Sequence, residues 1–296
     1  MAQKISFKNI KKIMDTYKQI DLNDYVQTGE GGTSLTYTHK TRNAMAKLFN
    51  PSNEADLAER EFLTARVVFE MGVPTPEPYQ LVTDGQRRGV EYELIKNKRS
   101  FTRIISQEPE RLEELSLTFA RMARELHAKK ADTSRIASIK ETLRRFYFEK
   151  NLVSEEYKQR ALHFLDMAPD SSNCLHGDLH IGNVITDGQR NLWIDLGQFS
   201  YGVAEWDLGW MWTICNRMDG QRSNFILHVS PETLTAHWNI FLAAYLGSDD
   251  KAAIGQYTKR LMPFYAVKLP YMYDLLVQGR LPEEAFKPLS QMIDPA

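Results

Sequence analysis

The spacing of apolar residues changes once along this chain, and that change limits the folds open to it. Up to about residue 96, short β-favouring runs are separated by glycine-containing turns. From there to about residue 170 the apolar residues recur at helical spacing. A strand-rich first third followed by a helix-rich remainder predicts two lobes with separate cores, and 296 residues suffice for both. We place the boundary near 96–98. The expected organisation is an N-terminal helical extension over 1–24, a first lobe over 25–96 and a helical lobe over 97–296. Ligands usually sit in the material between two such lobes.

Residues 1–20 have the pattern of a short amphipathic helix, with Ile10, Ile13, Met14 and Tyr17 on one face and lysines over the rest. A β-favouring run from Tyr25 then enters the cluster Gly29, Gly31, Gly32, Thr33 and Ser34, and a second run leaves it toward Thr38. This predicts a hairpin whose tip lets backbone N–H groups approach a phosphate. No Gly-Lys-Ser/Thr follows, so it is not a P-loop, and a strand rather than a helix follows, so it is not a dinucleotide fingerprint. The next apolar run, Ala44 to Phe49, contains one lysine, Lys47. It fits either the exposed face of an edge strand or a reach toward ligand phosphates. A helix is predicted over 54–70 from Leu57, Phe62, Leu63, Val67 and Val68. A carboxylate on it would aim Lys47, and the pattern alone does not choose among Glu59, Glu61 and Glu70. Strands near 79–83 and 89–95 follow, joined through Asp84-Gly85.

In the remainder, Leu112, Leu115, Phe119, Met122, Ala123 and Leu126 form one helical stripe, and 139–149, 155–166 and 233–246 are further predicted helices. The last begins after Ser230-Pro231-Glu232 and stops at Gly247.

Chemistry concentrates in Leu175-His176-Gly177-Asp178-Leu179-His180-Ile181-Gly182-Asn183-Val184, followed by Asp195. Asp187-Gly188 between the apolar runs Val184–Ile185 and Leu192–Ile194 is a strong hairpin signal. Asn183 enters this hairpin and Asp195 leaves it, so both belong at its open end. An amide oxygen beside a carboxylate makes half a shell for Mg²⁺, which fills its remaining positions with water and phosphate oxygens. Asp178, on the preceding loop, is then a second acid suited to accepting a proton. The rival chemistry is a zinc site from His176, Asp178 and His180, but Gly177 and Gly182 argue for a loop rather than the helix that a His pair four apart would suit.

Bulk properties exclude several other classes. A net charge of −1 provides no field for nucleic acid or anionic lipid. There is no apolar run long enough to span a membrane, and Lys4, Lys8, Lys11 and Lys12 leave no core for a signal peptide. The only cysteines, Cys174 and Cys215, form no CxxC or zinc spacing, which fits a reducing, cytoplasmic setting.

The chain resembles the aminoglycoside phosphotransferase/choline kinase-like family of small-molecule kinases over about residues 25–215. His176-Gly-Asp178-x-x-x-x-Asn183 is similar to the family's catalytic loop, and Ile194-Asp195-Leu196-Gly197 to its metal-binding segment. Leu126-His127-Ala128 and Glu205-Trp206-Asp207-Leu208 match two further conventional segments. The resemblance implies an α+β, bilobal protein-kinase-like fold, with a small antiparallel β-sheet N-lobe carrying one helix and a larger, mostly helical C-lobe. It implies ATP and Mg²⁺ as cofactors and a small-molecule hydroxyl as acceptor. Asp178 would be the catalytic base, supported by His176, with Asn183 and Asp195 on the metal. Lys47, oriented by Glu61, would touch the phosphates beneath Gly29, Gly31, Gly32, Thr33 and Ser34. The segment Leu94-Ile95-Lys96 would face adenine, and Asp207 would buttress the catalytic loop. Two positions depart from the pattern: Ser34 stands where a third glycine is usual, and Leu196 where an aromatic is common.

A nucleotide-binding pseudokinase is the alternative reading, disfavoured because Lys47, Glu61, Asp178, Asn183 and Asp195 are all present. A protein kinase is a third, weaker reading, because the short span from Asp195 to Asp207 leaves no room for a long activation segment. The acceptor would meet the aromatic-rich region after residue 200. There, ten acids against eight Lys and Arg lack the negative bias that a polycationic aminoglycoside favours.

Overall fold

The structure, a computed structural model, describes residues 17–30, 34–50 and 57–293. The chain divides into two compact units, Met1–Asn97 and Lys98–Ala296.

The first unit is a six-stranded sheet with one helix. Its elements are β1 (Lys18–Gln19), β2 (Tyr25–Glu30), β3 (Ser34–His39), β4 (Ala44–Phe49), α1 (Leu57–Glu70), β5 (Pro78–Thr83) and β6 (Arg88–Glu93). The strand order is β1-β5-β6-β4-β3-β2, antiparallel except where β1 lies parallel to β5. Most of the helix expected over 1–20 lies outside the described residues, but its end, Lys18–Gln19, is a strand. The edge of β5 offers unpaired backbone groups, and the Ile20 N–H donates to Thr83 O at 2.8 Å, while the Ile20 side chain is buried with Tyr25, Tyr37 and Val82.

Alternation along β4 puts Ala46 and Leu48 into that core. Phe49 packs instead against Ala58 of α1, Leu81 and Val90. Lys47 therefore shares the helix-covered face with Phe49. Moreover β4 is central, with Thr36 on one side of Lys47 and Val90 on the other, so Lys47 is not an edge-strand residue.

The second unit is mostly helical: α2 (Phe101–Gln107), α3 (Leu112–Ala128), α4 (Ile139–Glu149), α5 (Glu155–Met167), α6 (Glu205–Arg217), α7 (Pro231–Leu246), α8 (Lys251–Val277) and α9 (Glu283–Ile293). Ser100, Ser138, Ser154 and Ser230 cap α2, α4, α5 and α7 by accepting the N–H three residues on. Trp206 of α6 lies in a core with Leu143, Tyr147, Tyr157, Leu165, Phe264 and Val267. No helix among the described residues is long and apolar enough to cross a membrane.

Helix α8 runs through two prolines, Pro263 and Pro270. Pro270 has no N–H for the Ala266 carbonyl four residues back. The Tyr157 hydroxyl supplies that bond at 2.7 Å, and the Tyr147 hydroxyl donates to the neighbouring Val267 carbonyl, also at 2.7 Å. The packing of α4 and α5 thus holds open the stretch of α8 that carries Lys268.

Short strands complete the second unit: β7 (Arg99–Ser100), β8 (Cys174–Leu175), β9 (Val184–Thr186), β10 (Asn191–Trp193) and β11 (Ser200–Tyr201). They form the sheets β10-β9-β7 and β11-β8. Between β8 and β9 runs the loop bearing His176, Asp178 and Asn183, and between β10 and β11 the segment bearing Asp195.

Candidate active site

The loop after β8 is held by its backbone. Asp207, in the first turn of α6, accepts the His176 N–H on Oδ2 at 2.6 Å and the Gly177 N–H on Oδ1 at 2.9 Å. His127, at the end of α3, lies with Nε2 3.2 Å from the same Oδ2, and its Nδ1 pairs with the Tyr245 hydroxyl at 2.8 Å. Lys268 approaches from α8. Its Nζ donates to Gly177 O at 2.7 Å and Trp206 O at 3.2 Å, and lies 3.7 Å from Asp207 Oδ1. Burial alone raises the Asp207 pKa, but His127, Lys268 and His176 outweigh it and bring it down to about 2. Burial pushes the Lys268 ammonium the other way, below its ordinary value, against the pull of Asp207 and Asp178.

Gly177 is required in this loop. Its φ is +84°, and an added Cβ would land on the Gln198 carbonyl. His176 is fully buried, and its Nε2–H donates to Ile194 O at 3.0 Å while Nδ1 faces the Asp178 N–H at 3.4 Å. Burial lowers its pKa, so the ring is neutral and both nitrogens are engaged. His180 Nδ1 accepts the Gly182 N–H at 3.1 Å. These bonds leave no ligand set for zinc, and among the described residues no group of three or more His, Cys, Asp or Glu is placed to hold a metal ion.

The expected hairpin is present, with Val184 opposite Trp193 and Thr186 opposite Asn191. Asp187 closes its turn by accepting the Gln189 and Arg190 N–H groups at 2.9 and 2.7 Å, and these backbone bonds bring its pKa down to about 2. At the open end the Ile194 N–H donates to Asn183 O at 3.0 Å, which fixes Asn183 beside the segment that carries Asp195. Asn183 is buried, and its Nδ2 donates to Asp178 O at 2.9 Å, turning Oδ1 the other way. Asp195 has φ 58° and ψ 54°, a left-handed conformation that non-glycine residues hold at a cost of roughly 1–3 kcal/mol. One amide oxygen and one carboxylate are hard donors, which fit Mg²⁺ better than a soft metal.

Asp178 has a partner that the sequence did not disclose. Trp210, one turn beyond Asp207 on α6, donates its Nε1–H to Asp178 Oδ1 at 2.6 Å. Sequence reasoning placed Trp210 in an aromatic stripe with no residue singled out. Trp206, Trp238 and Tyr265 of that stripe are buried in the core. Lys268 was missed altogether; a lone lysine between apolar residues of a proline-containing helix was its only signal.

In the first unit, Lys47 Nζ lies 3.0 Å from Glu61 Oε2, and the Tyr92 hydroxyl donates to Glu61 Oε1 at 2.8 Å. Neither Glu59 nor Glu70 takes this place. Gly29 sits at a bulge of β2 where a Cβ would press on Thr36 Oγ1 at 2.5 Å. Ser34 is buried opposite Phe49. Gly31, Gly32 and Thr33 lie outside the described residues. The Leu94 N–H is engaged by Asn43 O at 3.4 Å. Ile95 is buried and Lys96 exposed.

The chain has a protein-kinase-like fold. It is similar to a choline/ethanolamine kinase family protein from Mesorhizobium loti (14% identity, 97% of this chain and 92% of that one, TM-score 0.53). It is also similar to an ethanolamine kinase from Plasmodium vivax (18% identity, 92% and 81% covered, TM-score 0.54). A thermostable mutant of the aminoglycoside phosphotransferase APH(4)-Ia is similar at 13% identity, with 97% and 96% covered and a TM-score of 0.57. No curated protein matches. The chain belongs to the phosphotransferase enzyme family, whose model matches residues 25–233.

Proposed function

We propose that this phosphotransferase moves the γ-phosphate of ATP to a hydroxyl group of a small molecule. The observation that carries this reading is the assembly around Asp178. Its loop is tied to Asp207 through two backbone amides, and its own carbonyl holds the amide of Asn183, which the hairpin sets beside the Asp195 segment. In this reading Asp178 takes the acceptor's proton as the new O–P bond forms, the bond to the β-phosphate breaks and ADP leaves. Lys47, aimed by Glu61, offsets phosphate charge, and Gly29, Gly31, Gly32, Thr33 and Ser34 are the further residues proposed to contact the nucleotide. Leu94, Ile95 and Lys96 face adenine, with Leu94 contributing its carbonyl because its N–H is already bonded. Asn183 and Asp195 hold Mg²⁺, whose contribution is to neutralise charge on the transferring phosphate. His176 acts through the loop it supports.

The test is a coupled ADP-release screen across choline, ethanolamine, amino alcohols, sugars and aminoglycosides. At least one acceptor should raise Mg²⁺-dependent ADP release above the acceptor-free rate, and Asp178→Ala should lower that rate by about 10²–10⁴. Release that no acceptor stimulates and Asp178→Ala does not change would favour the pseudokinase reading. We further propose a cytoplasmic location and a small, uncharged or singly charged acceptor, with no nucleic-acid or membrane partner.

A further inference from the structure

We infer that Trp210 is a positioning residue for the proton transfer: its indole N–H occupies Asp178 Oδ1 and so assigns Oδ2 as the atom that receives the acceptor's proton. The inference rests on the reading of Asp178 as base.

The two carboxylate oxygens have different surroundings. Oδ1 takes the indole N–H at 2.6 Å, short for a nitrogen donor and typical of a bond to an ionised acceptor. Trp210 is 6% exposed, so its ring has little freedom to swing away. Oδ2 lies 3.8 Å from His180 Nε2, beyond hydrogen-bond reach, and that ring is already held through Nδ1 by the Gly182 N–H. The helix carrying Trp210 is the same one that fixes the loop. Asp207 and Trp210 are three residues apart on α6, on one face, so the turn that binds the amides of His176 and Gly177 also orients the side chain of Asp178. Lys268 ties the Gly177 carbonyl to α8, which leaves the carboxylate's rotation about its own side chain as the freedom to be fixed. An indole does this without placing a full positive charge beside the base, as an arginine in its place would.

In the transfer, the acceptor O–H bond breaks toward Oδ2 while its oxygen bonds to phosphorus. Oδ1 keeps its indole bond throughout, so no proton moves to or from Trp210. A freely rotating carboxylate would present Oδ2 correctly only part of the time, and loss of such a charge-assisted bond corresponds to about a tenfold to hundredfold fall in rate.

The experiment is a double-mutant cycle on the full chain, with ADP release from MgATP as readout and water as the common acceptor. Trp210→Phe should lower turnover about tenfold to hundredfold in the natural background and less than about twofold in the Asp178→Ala background, with fluorescent ATP-analogue affinity unchanged. An equal loss in both backgrounds, or none in the natural one, overturns the inference; Trp210→Tyr replaces Trp210→Phe if the latter does not fold. A second readout is the indole ¹⁵N–¹H spectrum of the five tryptophans. The resonance that Trp210→Phe removes should lie downfield and move upfield in Asp178→Ala; a resonance that stays in place overturns the hydrogen bond. If Asp178→Ala keeps full turnover while the resonance behaves as expected, the base assignment fails and the contact stands.

Discussion

Each unit contains a lysine–carboxylate pair, and the two differ in almost every physical respect. Lys47 and Glu61 retain 15% and 10% side-chain exposure, whereas Lys268 and Asp207 retain 1% and 0%. Lys47 contacts Glu61 at 3.0 Å with the Tyr92 hydroxyl as further partner of the carboxylate. Lys268 is shared among two carbonyls and a carboxylate whose oxygens also hold two amides and His127. A partly open pair can exchange partners with an arriving anion at modest cost. A buried, multiply bonded pair cannot, because removing its carboxylate leaves the ammonium uncompensated in a low-dielectric interior. The same two residue types thus form a partly open pair, which we propose meets the nucleotide phosphates, in one unit and a fastening for a loop in the other.

Substitutions sharpen this contrast. The largest effect on activity belongs to Asp178→Ala, which leaves both pairs intact. The expected loss of 10²–10⁴ in turnover should come with a stability loss of only about 1–3 kcal/mol, from the Trp210 indole N–H that it leaves unpaired, so a loss as large as that of Asp207→Ala would break the separation of roles. Asp207→Ala comes next. It unpairs the His176 and Gly177 amides and strands Lys268, so unfolding free energy should fall by about 3–5 kcal/mol, measured by urea denaturation. Lys47→Met should do the reverse of Asp207→Ala, with a stability loss of only about 1 kcal/mol but ADP release lowered about tenfold or more. Equal stability losses at Asp207 and Lys47 would remove the distinction between fastening and ligand site. Lys268→Met should cost about 1–3 kcal/mol, less than Asp207→Ala, because it removes the lysine bond to the Gly177 carbonyl while Asp207 keeps its amides.

The smallest effect is one of pH within the second unit. His237 is buried beside Phe119 and Phe241, and burial brings its pKa down to about 3; burial also lowers that of His176. Both lie below the roughly 6.5 of an unfolded histidine. The unfolded chain therefore binds protons first as pH falls. Their contribution to stability is complete above about pH 6.5 and declines from there toward about pH 3. His237→Gln should flatten the dependence of the urea midpoint over that interval; an unchanged slope would assign the acid sensitivity elsewhere.

Local grammar carried much of this molecule. Asp187-Gly188 between two apolar runs specified the β9–β10 hairpin, and the hairpin placed Asn183 beside the Asp195 segment, because a two-stranded ladder leaves no choice of which ends meet. The helix start at Ser230-Pro231-Glu232, the Gly247 stop and the helical stripe of α3 were legible for the same reason: each is a relation among residues a few positions apart. The choice of Glu61 over Glu59 and Glu70 needed the family resemblance as well, since helix periodicity does not tell which carboxylate faces a strand. The end of the expected N-terminal helix failed at Lys18–Gln19 because the free edge of β5 outcompeted local helical pattern.

Other parts of the site were beyond the reach of spacing. Lys268 meets Gly177 across 91 positions, His127 meets Asp207 across 80, and Trp210 meets Asp178 across 32. None of these pairs has a sequence signature, for a lysine, a histidine or a tryptophan in a helix suits many surroundings equally well. What chose among them was packing. Tyr147 and Tyr157 satisfy the carbonyls that the Pro270 region of α8 exposes, and α6 carries Asp207 and Trp210 on one face. The sequence by itself determined which residues we propose carry the chemistry, because the candidate groups cluster on one loop and one hairpin. Tertiary structure alone decided how that loop is held and which oxygen of Asp178 is left open, because burial turns three distant side chains into obligatory partners.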